Sequence, residues 1–185
     1  MKLEVLEKDK VYHIYNRGIN SEAIFNSDEN KRYFLKLYSK YLENKSDSFA
    51  YCLMDNHFHF IIRIVNEKEI TQALSNLFNS YAKAFNKQNN RTGSLFETTF
   101  ERKLVVSENY FQQLIFYIHN NPVKHGFVDK MNLYPWSSFE SVTSDKPTMI
   151  KRSEVLTIFG DKEGFLEYHS HQQNTNAIND FIIEN

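Results

Sequence analysis

Along the first two thirds of the chain, segments with the apolar pattern of strands are interspersed with segments whose apolar residues have helical spacing. Four runs are rich in β-branched and aromatic residues and bounded by polar or glycine-containing segments, as strands are. They cover residues 11–16, 48–54, 57–65 and roughly 100–106. Helical spacing follows Ser27-Asp28-Glu29 and recurs at about 67–87 and 107–121. The pattern predicts the element order β-α-β-β-α-β-α.

Local signals predict where these elements begin and end. Ser27 and Ser107 are suited to cap the first and third helices. Pro122 is expected to end the third helix at Asn121. Asp55-Asn56 tolerates positive φ between two β-rich runs, which predicts a tight hairpin.

The first six elements match the split βαβ arrangement of an α+β, ferredoxin-like (RRM-like) fold, a four-stranded antiparallel sheet with two helices on one face. The third helix is additional and is expected to lie on the open face. We expect one domain over residues 1–143. Residues 144–185 are expected to form a short helical extension packed on the same domain, with helices near 152–159 and 162–171 before the chain frays.

Composition narrows the class of protein without naming its partner. With 41% hydrophobic and 15% aromatic residues, the chain can bury a core. A net charge of -1 means that any nucleic-acid surface must be a local patch. The single cysteine, Cys52, excludes an intrachain disulfide and a multi-cysteine zinc site. No apolar run is long enough for a membrane span and no signal peptide is evident, so we expect a soluble cytoplasmic protein without a membrane partner.

Strand alternation places two histidines together. In the 57–65 run the residues at even positions are all apolar, whereas His57, His59 and Arg63 point to the opposite face. Two imidazoles two residues apart on one strand face can direct nitrogens at a shared metal ion. The same pattern also fits two half-exposed histidines on a polar sheet face. A catalytic metal would need a further protein ligand and an open position.

The third helix carries candidate chemistry on one face. Tyr110, Leu114, Tyr117 and Asn121 share that face, and Tyr117 and Asn121 lie one turn apart. The Asn121 amide oxygen could supply a third, hard ligand. A tyrosine on an amphipathic helix is also commonly a core-edge residue, and a phenol is a poor nucleophile unless a metal or a base activates it.

Several motifs in order resemble the IS200/IS605-type tyrosine (HUH, Y1) transposases, and within them the REP-associated tyrosine transposases. The resemblance spans roughly residues 10–170. The matching segments are Tyr12-His-Ile-Tyr-Asn-Arg-Gly18, Met54-Asp-Asn-His-Phe-His59, Gly93-Ser-Leu-Phe96, Tyr117-Ile-His-Asn-Asn-Pro-Val123 and Tyr134-Pro-Trp-Ser-Ser138. One departure is Asp55, where relatives usually have proline, and Asp55 is either a turn residue or a further carboxylate near the metal.

The resemblance implies a mechanism and residue roles. His57 and His59 correspond to the histidine pair that binds the metal, and Asn121 to a third polar ligand that is often glutamine. Tyr117 corresponds to the nucleophile that forms a 5′-phosphotyrosine link and a free 3′-OH. The implied cofactor is Mg²⁺ or Mn²⁺, although two histidines and an amide would also suit Zn²⁺.

The expected partner is single-stranded DNA with a hairpin, as relatives recognise. Basic residues near the predicted site could contact phosphates. These are Arg17, Arg63, Arg102, Lys103 and Lys124. Phe96 and Trp136 are candidates for base stacking, and the 86–94 loop for recognition. Relatives include homodimers whose tyrosine helix completes the partner's site, and monomers, so both states stay open.

Two other functions remain open on the sequence alone. The same sheet carries non-catalytic, RRM-like modules that bind single-stranded nucleic acid without metal. A metal-dependent nuclease would use water as the nucleophile, with Tyr117 in a structural role.

Overall fold

A computed structural model describes residues 5–171 of the chain. Its centre is an antiparallel sheet in the order β2-β3-β1-β4. The strands are β1 (Val11–Arg17), β2 (Ser46–Leu53), β3 (His57–Ile64) and β4 (Glu101–Leu104). This order, with β1 and β3 in the middle, is that of the ferredoxin-like fold, so the predicted fold class is confirmed.

The helices follow the predicted order and extend it. They are α1 (Asp28–Leu42), α2 (Glu67–Gln88), α3 (Glu108–Lys124), α4 (Phe139–Thr143), α5 (Arg152–Ile158) and α6 (Lys162–Ser170). The short α4 was not predicted, because five residues carry too little periodicity. The predicted fraying after residue 171 lies outside the described residues. No helix within residues 5–171 is long and apolar enough to cross a membrane.

The two faces of the sheet carry separate hydrophobic cores. On one face Phe58, Phe60 and Ile62 of β3 pack with buried residues of α1 and α2. On the other face Ile61 packs with α3, and Val155 and Phe165 of the C-terminal helices belong to the same core. The third helix therefore lies on the open face, as predicted, and α3 is held directly over β2 and β3.

The hairpin and the start of α3 form as predicted. Met54 N–H donates to the His57 carbonyl across the turn at 2.8 Å. Neither Asp55 nor Asn56 has positive φ, so the turn does not use the conformation that this pair was expected to supply. Ser107 caps α3 by accepting a hydrogen bond from Tyr110 N–H.

The predicted end of α3 is wrong. The helix continues through Pro122 to Lys124, because proline in the last turn removes only one internal hydrogen bond. Gly126, with a φ of 72°, ends it instead. Phe127 N–H donates to the Pro122 carbonyl and Gly126 N–H to the Val123 carbonyl, the paired bonds of a Schellman motif.

Candidate active site

The histidine pair lies at the end of β3 next to β1. In the β1–β3 register His57 is opposite Arg17, and His59 is opposite Tyr15. His59 is 2% exposed, and His57 is half-buried, with 5.1 Å between the two ring centroids. His59 is therefore not the half-exposed residue that a plain polar sheet face would carry.

The α3 helix brings a tyrosine and an amide to this pair. Apolar residues of α3, including Leu114 and Ile118, are fully buried against the sheet and fix the helix over it. Asn121 Oδ1 lies 3.0 Å from His57 Nε2, and Asn121 Nδ2 lies 3.5 Å from His59 Nε2. The Tyr117 ring packs edge-on against the His59 ring, with centroids 5.7 Å apart. Four residues that sequence analysis selected thus converge within one chain.

The polar contacts of His57 are not complementary. Its Nδ1 lies 2.8 Å from Asn56 Oδ1, whose amide is oriented because Nδ2 of the same side chain donates to the Ser21 carbonyl. Its Nε2 lies 3.0 Å from Asn121 Oδ1. Both ring nitrogens therefore face oxygen acceptors, whereas a neutral imidazole carries only one N–H.

Burial keeps these rings neutral. It lowers the pKa of His57 to about 4, and the positive charges of His125, Lys124 and Arg17 act in the same direction. Burial likewise lowers the pKa of His59 well below its ordinary value, with smaller contributions from His13 and His57. Neutral imidazoles are the form that binds metal ions.

A third histidine, His13 of β1, was missed by sequence reasoning. It is fully buried, and its Nε2 lies 3.0 Å from His59 Nδ1 with the two rings stacked at 5.1 Å. Burial lowers its pKa to about 3. The available signal was alternation within β1, since His13 and Tyr15 lie on one face, but the β1–β3 register was needed to place that face against His59. We name His13, His57 and His59 the site cluster.

The donor set fits a divalent cation only with help from an amide. Within the described part of the chain, no group of three or more His, Cys, Asp or Glu side chains could hold a metal ion. His57 Nε2, His59 Nε2 and Asn121 Oδ1 would have to supply the protein ligands, leaving other positions to water or phosphate oxygens. A neutral His57 has one N–H for two oxygen acceptors, so at one of its nitrogens a lone pair faces an oxygen, which is unfavourable without a cation near it. The residues present therefore fit such an ion.

The predicted phosphate-binding residues fall into two groups. Lys124 Nζ lies 5.3 Å from the centroid of the Tyr117 ring, and Arg17 pairs with Glu97 at the His57 end of the sheet. Lys103 is opposite His13 in the β1–β4 register, and the Arg102 guanidinium stacks on Phe100.

Arg63 is not brought to the site. It lies six residues beyond His57 along β3, about 20 Å away. Its guanidinium pairs with both Asp47 and Glu154.

Phe96 and Trp136, the two candidates for base stacking, are both at least partly buried, and Asp55 is paired with a lysine. Phe96 is 7% exposed inside the core beneath α2, so the expectation that it is exposed for base stacking is wrong. Trp136 is half-buried, and its Nε1 donates to Asp28 Oδ1. The Asp55 carboxylate accepts a hydrogen bond from Lys31 Nζ at 2.7 Å, which favours the turn role over a metal role.

A second group of buried histidines lies on the far side of α3. His119 Nδ1 is 3.1 Å from His169 Nε2 of α6, and His119 Nε2 is 2.9 Å from Ser138 Oγ. His169 Nδ1 is 2.8 Å from the Phe165 carbonyl. We name His119, His169 and Ser138 the anchor cluster, because they join α3, α6 and the segment before α4.

Comparisons with known proteins agree with this architecture. The family model described as "Transposase IS200 like" matches residues 8–121, which is more than half of the chain and includes the site cluster, Tyr117 and Asn121. A protein of Haemophilus influenzae described as a REP-associated tyrosine transposase is 23% identical over 103 residues, which cover 50% of this chain and 58% of that protein. The chain thus matches little more than half the length of that relative.

The fold has a solved counterpart. The structure of a REP-associated tyrosine transposase bound to a REP hairpin superposes with a TM-score of 0.62, covering 80% of this chain and 88% of that one at 16% identity. Such a low identity establishes the shared fold and no more. With the match of the family model across the sheet and α3, it shows that this chain belongs to the IS200-like transposase family.

Proposed function

We propose that this protein cleaves and rejoins single-stranded DNA beside a hairpin, with Tyr117 as the covalent nucleophile. The observation that carries the proposal is the position of Tyr117 against His59 within the same chain, with Asn121 one turn further at hydrogen-bond distance from His57. Both the family match and the REP hairpin bound to the solved relative support this substrate.

The reaction is an exchange of phosphodiester bonds. The Tyr117 phenolic oxygen forms a bond to the scissile phosphorus, the bond from phosphorus to the 3′ oxygen breaks, and the proton lost by the phenol is balanced by one gained at that oxygen. The products are a 5′-phosphotyrosine link and a free 3′-OH. Because the ester energy is kept in the protein–DNA bond, attack by a 3′-OH reverses the step without ATP.

The divalent ion would be held by His57, His59 and Asn121, with Mg²⁺ or Mn²⁺ as the proposed cofactor. When bound, it would polarise the scissile phosphate and stabilise the charge that develops on it. Zn²⁺ also suits two imidazoles and an amide, so the ion must be identified by experiment.

The DNA strand would enter at the half-buried His57 end of the site. Tyr117 is 2% exposed, whereas Lys124 and His125 are exposed beside it. Lys124 and Arg17 are the two predicted phosphate contacts that lie at this entrance, and we propose them as such. Lys103 and Arg102 on β4 are proposed as more distant contacts.

The geometry supports a site completed within one chain. A tyrosine acting in a partner's site would be far from the histidines of its own chain, whereas Tyr117 and His59 are in ring contact. A homodimer stays a prediction, and the proposed cis site does not depend on it. The division into a catalytic domain at 1–143 and an extension at 144–185 also stays a prediction.

The main test uses a hairpin oligonucleotide with single-stranded flanks, incubated with the protein and Mn²⁺ and resolved on a denaturing gel. We expect a protein–DNA adduct that is absent with Tyr117→Phe and retained with Tyr110→Phe, a tyrosine on the same face of α3. An adduct that persists in Tyr117→Phe would exclude this nucleophile. Cleavage without an adduct would support the water-dependent nuclease, and binding without cleavage the non-catalytic module.

A mixing experiment tests whether the site is complete in one chain. Tyr117→Phe protein is mixed with the double variant His57→Ala, His59→Ala, which keeps its tyrosine. A site that acts in cis gives no adduct in the mixture. Recovery of adduct would show that the tyrosine serves a partner's histidines.

A further inference from the structure

We propose that His13 is a positioning residue that holds His59 in the tautomer able to bind a metal ion. The inference rests on the proposed function, because it concerns the same centre. The His13 ring lies behind His59, away from Asn121, and its Nε2 is 3.0 Å from His59 Nδ1. It is therefore placed to accept a hydrogen bond from His59 Nδ1–H, which leaves His59 Nε2 as a lone pair.

The direction of the bond follows from the other nitrogen of His59. Asn121 Nδ2 lies 3.5 Å from His59 Nε2, and an amide nitrogen can only donate, so Nε2 faces it as a lone pair. A neutral His59 then carries its proton on Nδ1. That proton points at His13 Nε2, which must accept it.

If His13 Nε2 accepts this bond, then His13 Nδ1 carries a proton that has no acceptor among the described residues. With Nε2 as the acceptor, the proton of a neutral His13 is on Nδ1. This atom is buried and has no hydrogen-bond partner within residues 5–171. Buried unpaired donors are rare in folded proteins and call for an explanation at each site. Here the explanation is that His13 carries the unpaired donor so that His59 can present its Nε2.

Packing alone would not require a histidine here. His13 stacks on Tyr15 at 4.6 Å and on His59 at 5.1 Å, and an apolar side chain could occupy the same space. Only a side chain with an acceptor can fix the proton of His59. Partners that orient a ligating histidine in this way typically change metal affinity by about 10- to 100-fold when removed.

The first experiment reads the tautomer without metal and without DNA. Nitrogen-15 NMR of the wild-type protein is expected to show His59 protonated on Nδ1. The Nε2–H form would overturn the proposal, because it corresponds to the opposite orientation of the Asn121 amide, with His13 as the donor. This measurement decides the role of His13 even if the protein binds no metal.

The second experiment compares two variants by Mn²⁺ titration, read by EPR. His13→Leu keeps an apolar filling but removes the acceptor, and we expect Mn²⁺ to bind about 10- to 100-fold more weakly. His13→Gln retains an acceptor oxygen and is expected to stay within about threefold of wild type, and Tm is measured for both. Equal Mn²⁺ affinity of His13→Leu and wild type would overturn the proposal. Failure of the wild type itself to bind Mn²⁺ would overturn the proposed metal site instead, with the NMR result still deciding His13.

Discussion

The site cluster and the anchor cluster each contain two buried histidines in contact, yet their hydrogen bonds differ in kind. In the anchor cluster the donors and acceptors close into one chain. The Phe165 carbonyl must accept from His169 Nδ1–H, so His169 Nε2 accepts from His119 Nδ1–H. His119 Nε2 then accepts from Ser138, whose oxygen accepts from Tyr51 N–H.

The site cluster does not close in this way while Asn121 Oδ1 faces His57 and Asn121 Nδ2 faces His59. His57 faces oxygen atoms with both nitrogens, and His13 Nδ1 has no partner within the described residues. A closed network stabilises a fold, whereas a mismatched one costs stability unless something else is bound. From this difference we expect the anchor cluster to hold α3 in place and the site cluster to be arranged for a ligand.

The largest expected effect is on adduct formation, and it comes from a substitution in the site cluster alone. His57→Asn removes one proposed metal ligand, and adduct formation on the hairpin oligonucleotide is expected to fall by about 100-fold or more. Because His57 is half-buried and its contacts are mismatched, the free energy of unfolding should change by less than about 1 kcal/mol. His171→Asn, an exposed histidine outside both clusters, is the matched control. Unchanged adduct formation in His57→Asn would remove the functional distinction between the clusters.

The opposite pattern is expected for the anchor cluster. His119→Phe leaves the buried His169 Nε2 without its partner, at about 1–3 kcal/mol, whereas Ser138 Oγ keeps its hydrogen bonds to the Tyr51 backbone. Urea unfolding should therefore show a loss of about 1–3 kcal/mol. Adduct formation, measured where the variant is folded, should fall less than in His57→Asn. A stability equal to wild type would show that the closed chain contributes nothing to the fold.

The free energy of unfolding should depend on pH, because burial keeps the histidines of both clusters neutral in the folded protein. Burial lowers the pKa of His169 to about 4, below the ordinary value of 6.5. The unfolded chain therefore binds protons that the folded chain does not, and stability is fully present above about pH 6.5 and falls as the pH drops towards 4. Each such histidine contributes a slope of up to about 1.4 kcal/mol per pH unit.

Replacing both anchor histidines tests this assignment. His119→Phe with His169→Phe should give a shallower loss of stability between pH 6.5 and 4 than wild type, in urea titrations at each pH. An unchanged slope would mean that the anchor histidines do not titrate on unfolding in this range.

The sequence was informative where a pattern is local. Alternation along β3 was enough to place His57 and His59 on one face, and helical spacing was enough to bring Asn121 beside Tyr117. These predictions need only the geometry of a single element. The predicted end of α3 was wrong because it relied on one local signal, Pro122. The helix in fact ends at the Gly126 turn, which is closed by two capping hydrogen bonds.

What the sequence could not provide depends on pairing between distant segments. His13 meets His59 only through the β1–β3 register, 46 positions apart, and His119 meets His169 50 positions along the chain. Phe96 looks available for stacking in a polar loop, but its side chain is buried and lines a groove of about 600 Å³ beside α2. Burial of this kind is set by tertiary packing, which no short window encodes.

The smallest expected effect is a shift in Tm on adding Mn²⁺, and it can be compared between variants of both clusters. A cation that binds the folded protein stabilises it by RT ln(1 + [L]/Kd), which is about 1.4 kcal/mol at ten times Kd. For a chain of this size that corresponds to a rise in Tm of about 3–6 °C when Mn²⁺ is added after EDTA treatment. The rise should disappear in His57→Asn and persist in His119→Phe, although the latter starts from a lower Tm. Because Mn²⁺ would act only where the donors and acceptors do not close, a rise that persists in His57→Asn would place the ion elsewhere and contradict the inference from the mismatch.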